Sequence, residues 1–292
     1  MSRRNKSTAR LIEIGADAYE RDPCKVPSLS ASIAKIIVSL SPAHAYAAHP
    51  KLGGVYTPTD PTGPQAKGII LHKLLLGRGS TVVSCPFDDW RTNAAKDMRD
   101  AALKQRKVPV LAGKLEALEK VAERILDSLR GCGYEFTGLS EATITWQEKD
   151  ASGEIVHCRA RLDHLLLADG HILDLKSAAD ASPRAVGRRV IDMGSDIQQT
   201  AYKRAVEALR PELVGRSKFT FLFFETDPPF AVVPIELDGQ FEEIGRMRWE
   251  QAKEVWARCL KSGRWPAYSN GETVTVSPPP WILNEHIGNW SA

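Results

Sequence analysis

Two periods alternate along the chain. From Ser28, SLSASIAKIIVSL sets apolar side chains at Ile33, Ile36 and Ile37, the spacing of one helix face, with Ser30 in position to cap the first turn. Pro42 cannot continue a helix, so the stretch through His49 divides into two short ones. KLGGVYTPTDPTGP (51–64) is dense in Gly, Pro and Thr and predicts a loop. KGIILHKLLLG is apolar nearly all round, which predicts a short buried helix. Residues 88–107 and 113–130 read as amphipathic helices, the second with Leu115, Leu118, Val121 and Ile125 on one face.

From about Ala142 the period shortens. ATITWQEK, EIVHCRARLDHLLL and GHILDLKS read as strands joined by DASG and ADG turns. SDIQQTAYKRAVEALR returns to a helix starting near Ser195 or Asp196. KFTFLFFET and FAVVPIEL give two more strands around DPP, and LDGQFEEIGRMRWEQAKEVWARCLKSG gives a long closing helix. Residues 1–27 read as a flexible leader with room for a short helix, and 269–292 as an irregular tail. The expectation is a single α/β domain over 28–268, a mixed β-sheet flanked by helices with a helical elaboration at its N-terminal side.

Composition adds limits. At 292 residues with 43% hydrophobic and 26% charged side chains, the chain has the make-up of a globular protein with a sizeable core. A formal net charge of only +3 means that a nucleic-acid surface would have to be a local patch. Five cysteines without a CxxC pair suggest neither a zinc site nor a disulfide framework. The basic start MSRRNKSTAR leads into a stretch too charged for a signal peptide, and no 18-residue apolar run marks a membrane span. The expected location is the cytoplasm of a bacterial or phage-infected cell.

The chemistry concentrates between Arg159 and Tyr202. Asp163 and Asp174 each sit inside an apolar strand, where a carboxylate costs several kcal/mol unless paired or metal-bound. Asp174 and Lys176 are two apart in a strand and so project side by side. Two carboxylates on neighbouring strands can hold Mg²⁺, the backbone carbonyl of Leu175 can add a ligand, and a lysine ammonium offsets charge on an attacked phosphate. A strand-end Asp and a surface Asp–Lys pair are the plainer alternatives. Gln198 and Tyr202 lie one helical turn apart and can address one point. Arg161, Arg184, Arg188 and Arg189, with Arg159, supply forks suited to phosphate oxygens, and Ser177 adds a hydroxyl beside the lysine. Trp90, Trp265 and Tyr268 could stack on an unpaired base, with packing in the core the plainer reading.

This ordered set resembles the PD-(D/E)xK nuclease superfamily in its RecB-like branch, and within it phage and prophage exonucleases of the RecE type (exonuclease VIII). Asp163 matches the first strand aspartate, Asp174-Leu175-Lys176 the (D/E)xK triplet, and Gln198 and Tyr202 the QxxxY helix. SLSASIAKIIVSLSPAHAYA is similar to an N-terminal segment of these proteins, GIILHKLLLG to their G-x-x-x-H helix, and FLFFETDPPFAVVPIEL to a later hairpin. The resemblance implies a restriction-endonuclease-like core, with His72 as an extra metal ligand and Glu141 as an acidic site residue. It further implies a Mg²⁺-dependent exonuclease, with Mn²⁺ as a substitute, resecting duplex DNA ends 5′ to 3′. A ring-shaped homo-oligomer and a single-strand annealing protein as partner are implied too. With only Cys259 in the late region, no iron–sulfur cluster is expected. A non-catalytic DNA-binding or assembly subunit of the same fold, and an endonuclease of the same superfamily, remain alternatives.

Overall fold

The computed structural model of the chain describes residues 9–54, 64–269 and 271–286. Its elements run β1 (Arg10–Ile12), α1 (Ala16–Glu20), α2 (Ala31–Ser39), α3 (Pro42–Ala48), α4 (Pro64–Leu76), β2 (Val82–Cys85), α5 (Asn93–Lys104), β3 (Val108–Leu111) and α6 (Ala112–Gly131). There follow β4 (Leu139–Lys149), β5 (Ile155–Leu166), β6 (His171–Ala178), α7 (Pro183–Met193), α8 (Ser195–Leu209), β7 (Lys218–Glu225), β8 (Val232–Ile235), α9 (Gly239–Ser262) and α10 (Pro280–His286). Most of the loop expected over 51–64, and residues 1–8, lie outside the described residues.

The main sheet is mixed and six-stranded in the order β1-β4-β5-β6-β7-β8, parallel only between β6 and β7. Alternation along β6 and β7 feeds two helical layers. Ile172, Phe219, Phe221 and Phe223 face the large core shared with α2, α7, α8 and α9, while Leu173, Leu175, Leu222 and Phe224 face a second core under α4 and α6. Burial on both faces explains why these strands read as almost unbroken apolar runs. A small parallel pair, β2–β3, joined through α5, packs on Ile70 of α4 as a third cluster.

The caps follow the sequence. The Ser30 hydroxyl accepts from the Ile33 amide, and the Ser41 hydroxyl accepts from His44, with Pro42 at the first position of α3.

Three expectations need correction. Beyond Arg10 the leader is part of the fold: β1 pairs antiparallel with β4, Leu11 opposite Ile144, and just after the leader Leu29 hydrogen-bonds both His157 and Arg159 along an edge of β5. The segment carrying Arg184, Arg188 and Arg189, to which the sequence assigned no element, is the helix α7, capped by Ser182 and closed by Gly194 at φ 72°, a left-handed position that glycine occupies without strain. The helix expected over 88–107 starts only at Asn93, behind a Thr92 cap. The tail, for its part, carries the short helix α10.

Candidate active site

The site forms where β5 and β6 part. Their ladder holds three pairs, ending at His164 opposite Leu173, and the next positions in that register are Asp163 and Asp174. Instead of a continued ladder, the Leu175 amide donates to Asp163 Oδ2 at 2.8 Å, so the carboxylate takes the place of a strand partner. β5 breaks its pleat here: Leu162 and Leu165, three apart, both enter the large core, which regular alternation forbids. Across the β4–β5 register from Asp163 lies Glu141, at φ 57°. A backbone distortion at two facing acidic residues turns both carboxylates toward α4.

On α4, one turn from Gly68, His72 bridges the pair. Its Nε2 lies 3.1 Å from Asp163 Oδ2 and its Nδ1 3.5 Å from Glu141 Oε1. Arg161 Nε donates to the other Glu141 oxygen. Two glycines make room: a Cβ on Gly79 would press on Glu141 Oε1 at 3.1 Å, and one on Gly68 would meet Ser177 Oγ at 2.7 Å.

Asp174 points to the other layer, toward α8, as Ile172 does. It is 1% exposed, with Lys176 Nζ 2.5 Å from its Oδ2. Gln198 on α8 closes a triangle: its amide nitrogen donates to Asp174 Oδ1 at 2.6 Å, and its carbonyl accepts from Lys176 Nζ at 2.9 Å. Lys176 Nζ also lies 5.6 Å from the centre of the Phe221 ring. Tyr202, one turn along α8, packs on Phe219 at 6.1 Å.

The charges divide as this geometry requires. Burial raises Asp174 to about 6 and the Asp163 charge adds to the rise, against the pull of Lys176. Burial works the same way on Asp163, but the His72 hydrogen bond, the His72 and Lys176 charges and the Leu175 amide outweigh it and hold that carboxyl below the usual range. Burial opposes a charged His72, and Asp163 and Glu141 overcome it, so the imidazole is raised. Burial lifts the Tyr202 phenol well above its usual range.

The donors (carboxylates and an imidazole) suit a hard divalent cation in type. Among the described residues no three His, Cys, Asp or Glu side chains converge at ligand spacing; they stand as pairs. Asp174 Oδ2, despite the nearby ammonium, is buried without a well-directed hydrogen bond, the signature of a carboxylate with an unspent lone pair. In donor type, though not in spacing, the residues fit such an ion.

Beside the site opens a cavity of about 1210 Å³. His72, Glu141, Arg161, Leu175, Ser177 and Tyr202 line it, while Asp163, Asp174, Lys176 and Gln198 are not among its lining. Sequence reasoning missed the opposite walls: Tyr19 of α1, Ser80 and Thr81 before β2, and Gln105 to Lys107 before β3. Of these, only the aromatic Tyr19 carried any signal. Arg184, Arg188 and Arg189 are exposed on α7 and do not line the cavity. Arg159 is no DNA-facing fork either: it is 4% exposed, and its guanidinium donates to Ser28 and lies 3.4 Å from Asp22. Trp265 packs edge-on against Trp256, and Tyr268 tilts against His44.

Residues 73–275, most of the chain, match the family described as a PDDEXK-like domain of unknown function (DUF3799). The chain belongs to that family. Among solved structures it is similar to a "Putative exonuclease" from Eubacterium rectale, at 14% identity and a TM-score of 0.54, over 95% of this chain and 99% of that one. At that identity the likeness shows the fold. A structure of SSO0001 matches at 12% identity over 61% of this chain and 83% of that chain, with a TM-score of 0.28 that carries no argument. No curated protein matches. Among the described residues no helix is long and apolar enough to cross a membrane.

Proposed function

We propose that the chain is a divalent-metal-dependent DNA exonuclease of the RecE type, which hydrolyses phosphodiester bonds from duplex ends, 5′ to 3′, and leaves single strands for a recombination partner. One observation carries the reading: Asp163 and Asp174 occupy facing register positions where β5 and β6 part, with Lys176 and Gln198 locked to the second of them.

Asp163 and Asp174, with the Leu175 carbonyl, His72 and Glu141, would hold Mg²⁺ or Mn²⁺, which supplies charge neutralisation and an acidified water for attack on phosphorus. Lys176, fixed by Gln198, places an ammonium beside the acidic pair, where it offsets charge gathering on the attacked phosphate. Gln198 also holds Asp174 in one orientation, as an outer partner of a ligand does. His72, whose imidazole is raised by the two carboxylates beside it, would have to be neutral to serve as a ligand of the ion. Arg161, Ser177 and Tyr202 stand on the cavity side, where an incoming strand would pass.

Support comes from the family, the fold of the Eubacterium rectale protein and the donor set. A ring of subunits and an annealing partner complete the proposal and rest on the RecE resemblance. The test is digestion of linear duplex labelled separately at each 5′ end, with closed circles alongside, in Mg²⁺ and in Mn²⁺. Release of the 5′ label with circles spared, and its loss in Lys176→Ala, is the expected result. Cleavage of circles makes the protein an endonuclease, and intact ends in both metals refute the proposal.

A further inference from the structure

The cavity wall contributed by the N-terminal segment lies outside the region matched to the family. Five residues of one short stretch, Gly15, Ala16, Asp17, Tyr19 and Glu20, face the cavity. They are held by an anchor directly behind them. Asp22, at φ 62° and 3% exposed, accepts from the Cys24 amide at 3.1 Å, the Ser28 amide at 2.9 Å and the Ser28 hydroxyl at 2.7 Å. His49 Nε2 lies 3.3 Å from the same carboxylate and Arg159 3.4 Å from it.

Arg159 ties this anchor to the aromatic ring. Its guanidinium carbon lies 5.6 Å from the centre of Tyr19, so a buried cation supports the ring while the side chain lines the cavity. Across the same space stand Tyr202 and the uncharged hydrogen-bonding groups Gln65, Ser80, Thr81 and Gln105, with Lys107. Asp17, Glu20 and Glu141 balance the cations of the lining, so this is no broad electropositive track for the phosphates of a duplex. At about 1210 Å³ the cavity slightly exceeds the largest small-molecule sites (~1,000 Å³), room for a few nucleotides of one strand. Tyrosine faces with amide and hydroxyl partners are the chemistry that binds unpaired bases.

We propose that Tyr19 is a substrate-contacting residue: its ring, fixed by Arg159 and the Asp22 anchor, is the platform on which a base of the unpaired strand stacks as the strand enters the site. The substrate class rests on the nuclease reading. The residue and its role rest on the cavity and the anchor. A strand that has left its duplex can bring its phosphate to carboxylates that do not line the cavity, and a base platform on its wall holds the strand there.

The test measures binding without cleavage. The full chain in EDTA is titrated with a fluorescent 12-nucleotide strand of deoxythymidine and with an abasic strand of equal length and charge. Wild type is expected to prefer the base-bearing strand by about tenfold, the scale of one stacked base. Tyr19→Ala should abolish that preference and Tyr19→Phe should keep it. Tyr19→Leu, which retains bulk without an aromatic face, should behave as Ala while unfolding at the wild-type temperature. Ultraviolet crosslinking of wild type to a strand carrying 5-iododeoxyuridine should tag a peptide spanning residues 15–22. An unchanged preference in Tyr19→Ala and Tyr19→Leu, no preference in wild type, or crosslinks confined to other segments overturns the inference. A protein that discriminates the strands but never cleaves in Mg²⁺ or Mn²⁺ refutes the nuclease reading alone. One that cleaves without discriminating refutes only the role of Tyr19.

Discussion

Asp22→Asn isolates the charge of the N-terminal anchor. Asp22 has a positive φ of 62°, a backbone region in which Asn is as acceptable as Asp, so the substitution adds no strain and changes little volume. What it removes is the anion facing Arg159, at 3.4 Å, and His49, at 3.3 Å. Arg159 is 4% exposed and its Nε already lacks a partner, so it cannot recover the loss from water. Breaking a buried pair by removing one charge costs about 3–5 kcal/mol, a large share of the ~5–15 kcal/mol that stabilises a typical domain.

Equilibrium urea denaturation at neutral pH, read by tryptophan fluorescence, measures this. A stability loss of about 3 kcal/mol or more is expected, with pH dependence of fixed sign. Burial alone would raise the Asp22 carboxyl, but the His49 hydrogen bond, the Arg159 charge and the Ser28 donors hold it well below the ordinary carboxylate range. A group depressed in the folded state stabilises fully above its unfolded value near 3.8 and loses that contribution as pH falls toward the folded value. The gap between wild type and Asp22→Asn should therefore be widest above pH 4 and narrow in acid. A loss below about 1 kcal/mol at pH 7, or a gap that widens in acid, refutes the reading of Asp22 as the anchor.

Three other outcomes follow from the site. Lys176→Ala should lower nuclease turnover by about 10²–10³-fold, the scale of one lost electrostatic donor, with the melting temperature little changed. Gln198→Ala frees Asp174 and Lys176 from their clasp and should cost about 10–100-fold in activity or in Mg²⁺ affinity, seen as a higher half-saturating metal concentration. His164 is buried, with Nε2 accepting from Gly138 at 2.9 Å, and burial pushes its imidazole down to about 4. Below pH 6.5 the unfolded chain takes up a proton there that the folded one refuses, so stability should fall between pH 6.5 and 4 by roughly 3 kcal/mol. His164→Gln should flatten that acid limb in urea titrations, and an unchanged limb counts against it.

What the sequence disclosed was local in origin. Asp174 and Lys176 share a face because strands alternate, and Gln198 and Tyr202 share one because helices repeat every three to four residues, so both pairs could be read from spacing. Ser30 and Pro42 fixed helix starts by the same local rules. The α7 helix carried comparable signals, Ser182-Pro183 before it and Gly194 after it, but its high charge masked its period and no element was assigned there. The strands β2 and β3, four residues each, are too short to show a period. How Asp163, Asp174 and Glu141 come to neighbouring register positions depends on a break between β4, β5 and β6, a property of the assembled sheet.

The anchor shows why charge alone misleads. Arg159 and Arg161 are alternate residues of one strand, equally basic in sequence, and both looked suited to phosphate. In the fold Arg161 reaches the cavity and pairs with Glu141, while Arg159 is sealed beneath Tyr19 by Asp22, Ser28 and His49. Their difference is created by residues more than 100 positions away, at and just beyond a segment whose composition predicts a flexible leader. That segment closes one edge of the main sheet through β1 and one wall of the cavity through α1. Sheet edge, anchor and cavity wall are therefore one cooperative unit, so a substitution in the anchor should register both in stability and at the cavity it supports.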